Sequence, residues 1–480
     1  MTDAPRPMPQ IAPRLIFVAV ALPMFLAIVN QTMISVALPP IGAELGELAR
    51  LPWLVIGYML ALTVTGPAYG ALGDTLGRKT MLMMSLGVYL AGTIVASLAP
   101  SFEVLALGRL IQGMGGGGLI SLSQALIGQG ISARERGRMQ GYVASIGVLA
   151  STSGPIIGGV LVETLGWRSL FLSTVPLALI GLVLLARLEV RQQQRSARGF
   201  DWSGFLFLNL MVVGLTLGME LMRGFAPPVL IWLAMIAALA GLLGLMLTEG
   251  RAVNPLFPPA LVANPAIWRA ILLAAFHGAT VVSYATFLPL FLRIVHGKEV
   301  LDAAAMLLAI TLALGLSGFV TGHLISRLGR TALFPTLGLV AVTLSIAVVG
   351  LFGAALPMPL LWAMFVVTGL GLGTVMPVVQ TTVQQSAPDT MRGAAAGSVT
   401  FGRSIGSVVG AAAVSMVVFS TAAGPGQSPE QASAILARPE LIDAAAAELW
   451  ARAFAAAFLT IAGFSFAGWL TALTTPARRI

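Results

Sequence analysis

The sequence predicts an all-α polytopic membrane protein, on three observations. Charged residues make up only 9% of the 480 positions and hydrophobic residues 57%, whereas soluble domains carry about 25% charged residues. Apolar runs close to the roughly 20 residues that span a bilayer as a helix recur along the whole chain. None of these runs alternates with the two-residue period of a membrane β-barrel. The composition also excludes several chemistries. There is no Cys, hence no disulfide or thiolate chemistry. His277, His296 and His323 are too scattered for a metal site. An enzyme would need a convergent acid–base or metal set, and none is visible, so neither catalytic residues nor a cofactor is expected.

In chain order, the apolar runs divide into about fourteen spans, at roughly 14–39, 51–72, 79–99, 102–129, 137–163, 169–188, 201–222, 227–248, 266–295, 303–327, 331–353, 358–385, 393–420 and 449–473. The opening segment MTDAPRPMPQIAPR is short and Pro-rich, and no small-residue cleavage signature follows it, so it reads as a signal anchor. Of the 27 Lys and Arg, 18 fall on the side of the two termini and seven on the other face. The positive-inside rule then places both termini in the cytoplasm and requires an even number of spans. The expected location is a bacterial inner membrane. The net charge of +9 thus reports topology and not a nucleic-acid partner. The two that remain, Arg109 and Arg403, fall within spans.

Two loops repeat. GALGDTLGR (70–78) matches GHLISRLGR (322–330) at an offset of 252, and RGRMQG (136–141) matches RGAAAG (392–397) at 256. Eight spans separate the members of each pair. An even number preserves orientation, so these are parallel repeats. The expected architecture is two six-helix parallel repeats, 1–188 and 253–480. Between them, 189–252 forms a cytoplasmic linker and two inserted helices.

Four further stretches, in order and on the expected helices, carry a resemblance. They are VNQTMISVALP (29–39) in span 1, GALGDTLGRKT (70–80) between spans 2 and 3, LALGRLIQGMGGG (105–117) in span 4 and GVLASTSGPIIGG (147–159) in span 5. RGAAAGSVTFGRSIGSVVG (392–410) adds support. Together they resemble the major facilitator superfamily and, within it, the fourteen-helix drug:proton antiporter family. The resemblance covers nearly the whole chain. It implies a secondary exporter of amphipathic or drug-like small molecules, working by alternating access and coupled to protons. The cavity would lie between the halves, lined mainly by helices 1, 2, 4, 5, 9, 10, 12 and 13. A narrower transporter of one metabolite, or a carrier not driven by protons, remains the alternative. The expected partners are the small-molecule substrate, protons and the lipid bilayer, and the protein is expected to be monomeric. A membrane receptor or scaffold would need neither cavity polar residues nor a gating loop.

Each motif has a physical reading beside the inherited one. Gly70 and Gly77 permit close packing and a sharp turn. Asp74 can accept from N–H groups at a helix N-terminus. The resemblance makes it half of a latch whose partner is the start of helix 13, near Asp389–Arg392, with Arg78 and Lys79 adding charge contacts. Ser326 replaces Asp74 in the second repeat, so this latch is asymmetric. An intramembrane Arg109 costs roughly 2.5 kcal/mol or more unless partnered. The resemblance assigns it to proton coupling, with Gln112 and Gly113 completing its motif. Its bland alternative is a helix-end Arg reaching the interface. In span 5, Gly154-Pro155 and Gly158-Gly159 bend the helix and give it a face of small residues, expected to slide on its counterpart in the other half.

The antiporter family usually carries Asp where Asn30 stands. A buried carboxylate there could load a proton or pair with a cationic drug; Asn30 and the adjacent Gln31 offer only neutral hydrogen bonds. Proton coupling is therefore expected to run through another group. His277 near the middle of span 9 comes first, then Glu163 near the outer end of span 5. Arg403 in span 13 is expected to face the cavity.

Overall fold

The computed structural model describes residues 13–46, 50–128, 132–189, 199–223, 227–329, 331–422 and 444–475. Residues 190–198 of the expected linker lie outside these residues, as do 423–443 and Arg330. Fourteen helices are long and apolar enough to cross a membrane, and no strand occurs among the described residues. They are α1 (Pro13–Leu45), α2 (Pro52–Leu76), α3 (Arg78–Ser97), α4 (Phe102–Ile127), α5 (Ala133–Leu165), α6 (Arg168–Arg187), α7 (Trp202–Arg223) and α8 (Pro228–Glu249). Then follow α9 (Pro265–Ile294), α10 (Val300–Leu328), α11 (Leu333–Phe352), α12 (Met358–Ser386, in two segments), α13 (Arg392–Ala422) and α14 (Ala444–Thr474).

Local chemistry sets the helix ends. Ser101 accepts from the Val104 N–H to start α4. Ser132 accepts from the Glu135 N–H and donates its hydroxyl to the Glu135 carboxylate at the start of α5, a side-chain cap of the helix. Gly77 alone separates α2 from α3, at φ 101°, a backbone state that favours glycine. The sequence read span 12 as one helix. It is two, Met358–Gly373 and Val375–Ser386, parted at Thr374. Pro377 lacks the N–H that would bond the carbonyl of residue 373, and Thr374 turns its hydroxyl back to the Gly371 carbonyl at 2.7 Å.

The first six and last six spanning helices meet along two seams, α2 with α13 and α5 with α10. Gly70 packs on the Gly393 backbone, and Gly322 packs on the backbone of Gly137 and Gly141. Gly322 is the repeat partner of Gly70, and Gly393 that of Gly137. The duplication read from the loops thus reappears as two equivalent backbone contacts. Both seams run from mid-membrane, where Val148 meets Gly315 and Thr400 meets Gly66, to the face that carries Gly77. There the two six-helix sets are closed against each other. A Cβ at Gly322 would collide with backbone on α5, which cannot swing aside as a side chain can. Gly322→Val is therefore expected to weaken this closure by about 1–3 kcal/mol. The check is the distance between labels on α5 and α10 at that face, which should lengthen.

The inserted pair α7–α8 does not stand apart. Leu208, Val212 and Leu245 pack with Val64, Ala68 and Ala71 of α2. Phe257, ahead of α9, meets the Phe401 ring of α13 at 5.1 Å between centroids. The pair flanks the α2–α13 seam on one side.

Candidate functional site: a polar latch and a buried guanidinium

The closed face is held by a carboxylate at a helix N-terminus. Asp74 ends α2 with its side chain only 7% exposed. Its Oδ1 accepts from Arg78 Nε at 3.1 Å, Arg78 Nη2 at 2.7 Å and the Gly393 N–H at 2.9 Å. Its Oδ2 accepts from the Ala394 N–H at 2.9 Å. Both amides belong to the first turn of α13, where the helix dipole favours an anion. Arg78 Nη2 also reaches across the seam to the Asp389 carbonyl at 2.6 Å. Gly70, one turn earlier on α2, admits the α13 backbone closely enough for these bonds to form. Lys79 acts within its own half. Its Nζ donates to the carbonyls of Ala186 and Leu188, at 2.9 and 2.7 Å, at the end of α6.

A second polar layer crosses beside the first. Gln384 Nε2 donates to the Gln124 carbonyl at 3.0 Å, Gln140 Nε2 donates to Gln124 Oε1 at 2.8 Å, and Arg136 Nη1 donates to the Gln384 carbonyl at 3.2 Å. On the α5–α10 seam, Tyr142 sets its ring against Phe319 and His323, at 5.9 and 5.4 Å. Sequence reasoning missed the glutamines. Their signal was available: Gln124 and Gln384 sit near the same-side ends of spans 4 and 12, corresponding members of the two repeats.

Deeper in the membrane, Arg109 is fully buried. It does not reach the interface. Nε donates to the Leu54 carbonyl at 3.1 Å. Nη1 donates to Gln112 Oε1 at 2.6 Å and also to Asn30 Oδ1. The guanidinium carbon stands 4.2 Å from the centroid of the Tyr58 ring, a cation–π contact. Nη2 has no partner. Gln112 is held in turn, donating to Thr93 Oγ1 at 2.8 Å. Gly113 lets Tyr58 of α2 approach, and Gly115 does the same for Tyr89 of α3. Arg109 is thus solvated by neutral oxygens and a ring, without a carboxylate.

The remaining predicted residues are not gathered into one cluster. Gly154 and Gly158 of α5 pack on Thr32 and Met33 of α1, inside the same half, while Pro155 is exposed and Gly159 half-buried. In this arrangement Gly154 and Gly158 thus meet α1 and not the opposite half. The α5 residues that meet the other half are Gly137, Gly141, Ala144 and Val148, one to several turns earlier. The cause is helical phase: the face that carries Gly154 and Gly158 points to α1. Gln31 is half-buried, one position past the Arg109 contact. Glu163 is exposed at the far end of α5. His277 is 6% exposed, and its ring faces the Leu372 backbone without the geometry of a full hydrogen bond. Arg403 is half-buried one helix away on α13, and it is the charged group that acts electrostatically on His277. Among the described residues no group of His, Asp or Glu could hold a metal ion.

Residues 20–411 match the family model described as Major Facilitator Superfamily. The chain belongs to the major facilitator superfamily. It is 30% identical over 404 residues to an MFS-type transporter of Mycobacterium tuberculosis, Rv1877, covering 83% of this chain and 58% of that protein. The chain therefore spans under two thirds of the length of that relative. It is 26% identical over 402 residues to the multidrug transporter protein MdtP of Bacillus subtilis, covering 82% of this chain and 73% of that one. Two solved structures share the fold. The human organic anion transporter MFSD10 aligns over 96% of this chain and all of its own, with a TM-score of 0.66 at 16% identity. The proton:xylose symporter XylE aligns over 97% of each chain, with a TM-score of 0.66 at 14% identity. In this member of the superfamily, the polar latch joins the two repeats.

Proposed function

We propose that this protein is a secondary active exporter of small amphipathic or drug-like molecules, working by alternating access. The observation that carries the reading is the closure between the repeats. It is made of a carboxylate on a helix N-terminus, glutamine amides and glycine backbones, contacts that can part and re-form without exposing a large apolar core. Relatives named as a multidrug transporter and as efflux pumps support the outward direction. The working units are residues 1–188 and 253–480, with 189–252 flanking the seam. Both termini lie in the cytoplasm of a bacterial-type inner membrane, the closed face is the cytoplasmic one, and the protein acts as a monomer.

The driving ion on this reading is the proton. His277 is the first candidate to carry it and Glu163 the second. His277 is buried within a spanning helix; Glu163 stands exposed at the outer end of its helix. A second reading, a carrier not driven by protons, is favoured by Asn30. Its amide oxygen is engaged by Arg109, and it has no proton to give. Everted vesicles test the exporter reading: it fails if no dye from a charge-diverse panel accumulates, with or without a pH gradient. Asn30→Asp places a carboxylate against the Arg109 guanidinium. The expected result is a changed pH dependence or substrate charge preference. If Asn30→Asp and Asn30→Ala both transport as the parent does, position 30 serves packing alone.

A further inference from the structure

The membrane interior carries a charge imbalance. Every Asp and Glu among the described residues lies in a loop or within about a turn of a helix end. Two arginines lie deeper, Arg109 in α4 and Arg403 near the middle of α13, and guanidinium groups keep their charge. Arg109 is surrounded by neutral groups and leaves Nη2 unbonded. Arg403 makes no side-chain hydrogen bond or ion pair among the described residues.

The place of Arg403 on its helix is defined by its neighbours. Gly393, Gly397 and Thr400 face α2; Gly402, Gly406 and Gly410 face α9. Phe401 and Ile405 pack toward the inserted pair. Position 403 falls between the α2 side and the α9 side, away from the inserted pair. Thr400 and Ser407, a turn on either side of it, are buried, whereas Arg403 keeps a small accessible part. Its accessible part therefore opens toward the space between the two repeats. His277 comes from α9, where the adjacent Gly278 packs on the Arg403 backbone, into its electrostatic reach. An interior cation without a partner is costly in a membrane, and a ligand of opposite charge removes that cost. A cationic ligand would add to it.

We propose that the transported molecule is an organic anion, whose carboxylate or sulfonate is received by Arg403 with His277 beside it, while Arg109 adds a fixed positive charge on the opposite repeat. This rests on the exporter reading and names its substrate class. A carboxylate on Arg403 would gain a charge-assisted, two-pronged hydrogen bond.

The test uses the full-length protein, with carboxyfluorescein as the anionic probe and rhodamine 6G as the cationic one. Everted vesicles should accumulate carboxyfluorescein in preference to rhodamine 6G. Arg403→Gln should lower carboxyfluorescein uptake about tenfold or more, and Arg403→Lys should restore part of it. Rhodamine 6G transport by the intact protein without carboxyfluorescein transport overturns the proposal. So does an equal loss for both dyes in Arg403→Gln at matched expression. Chloride replaced by gluconate separates the two sources of negative charge. If transport is indifferent to dye charge yet needs chloride, the arginines hold an inorganic counter-ion and the assignment falls. Equilibrium binding of both dyes to purified protein keeps the two readings apart. Anion-selective binding without transport removes the exporter reading alone; binding with no charge preference removes the anion.

Discussion

Asp74→Ala should open the closed face and lower export by at least tenfold, with the fold retained. The carboxylate takes four N–H bonds, and its loss leaves the side chain of Arg78, 2% exposed, with a single acceptor across the seam. Removing one partner of a buried ion pair costs about 3–5 kcal/mol. The Arg78 pair lies within one repeat, whereas the Gly393 and Ala394 bonds cross the seam, so the closed arrangement alone loses about 1–3 kcal/mol for each of these two bonds. A shift of this size exceeds the roughly 1.4 kcal/mol that changes a population ratio tenfold. The absence of Cys permits a direct check. Spin labels on introduced Cys at Leu76 and Thr390, both exposed, should read a longer distance in the Asp74→Ala background. Asp74→Asn should fall between, since the amide keeps one acceptor and loses the charge. An unchanged distance distribution in Asp74→Ala would show that the latch holds nothing.

Arg109→Ala should be the most damaging single change to folding. It strips the donor from three buried oxygens, on Leu54, Asn30 and Gln112, and empties the space over the Tyr58 ring. Each unsatisfied buried acceptor costs about 1–3 kcal/mol, so the expected loss is several kcal/mol, read as a lowered melting temperature in detergent. Arg109→Lys separates charge from geometry. A single ammonium cannot reproduce a planar fork that serves three acceptors. The lysine variant should fold nearly as well as the parent and transport poorly. If it transports normally, the positive charge is what matters and the fork is incidental.

Much of this was legible in the sequence, for reasons that differ by element. Span number and length follow from apolar runs, which are one-dimensional. The two loop repeats made Gly70 equivalent to Gly322 and Gly137 to Gly393, but that Gly70 meets Gly393 and Gly322 meets Gly137 is visible only in the packed helices. Asp74 could be assigned to the start of α13 from its motif. Two features could not be read. The break at Thr374 hides in a continuous apolar run, where Pro377 alone marks it and membrane helices commonly tolerate proline. The direction in which Gly154 and Gly158 point depends on helical phase accumulated over several turns of α5, which a linear pattern does not record. The bond from Asn30 to Arg109 joins α1 to α4, a meeting that only the packed helices reveal.

With an anion as the transported molecule, the lack of a deep carboxylate among the described residues would change what powers transport. A bacterial inner membrane is electrically negative inside, and moving one elementary charge through it is worth about 2.3 kcal/mol per 100 mV. An anion leaving the cytoplasm moves down that voltage unaided. Arg109 and Arg403 would lower the barrier for it at mid-membrane, and no proton need return in exchange. Such a carrier would keep working in an alkaline medium, where the pH gradient vanishes and proton-driven pumps stall.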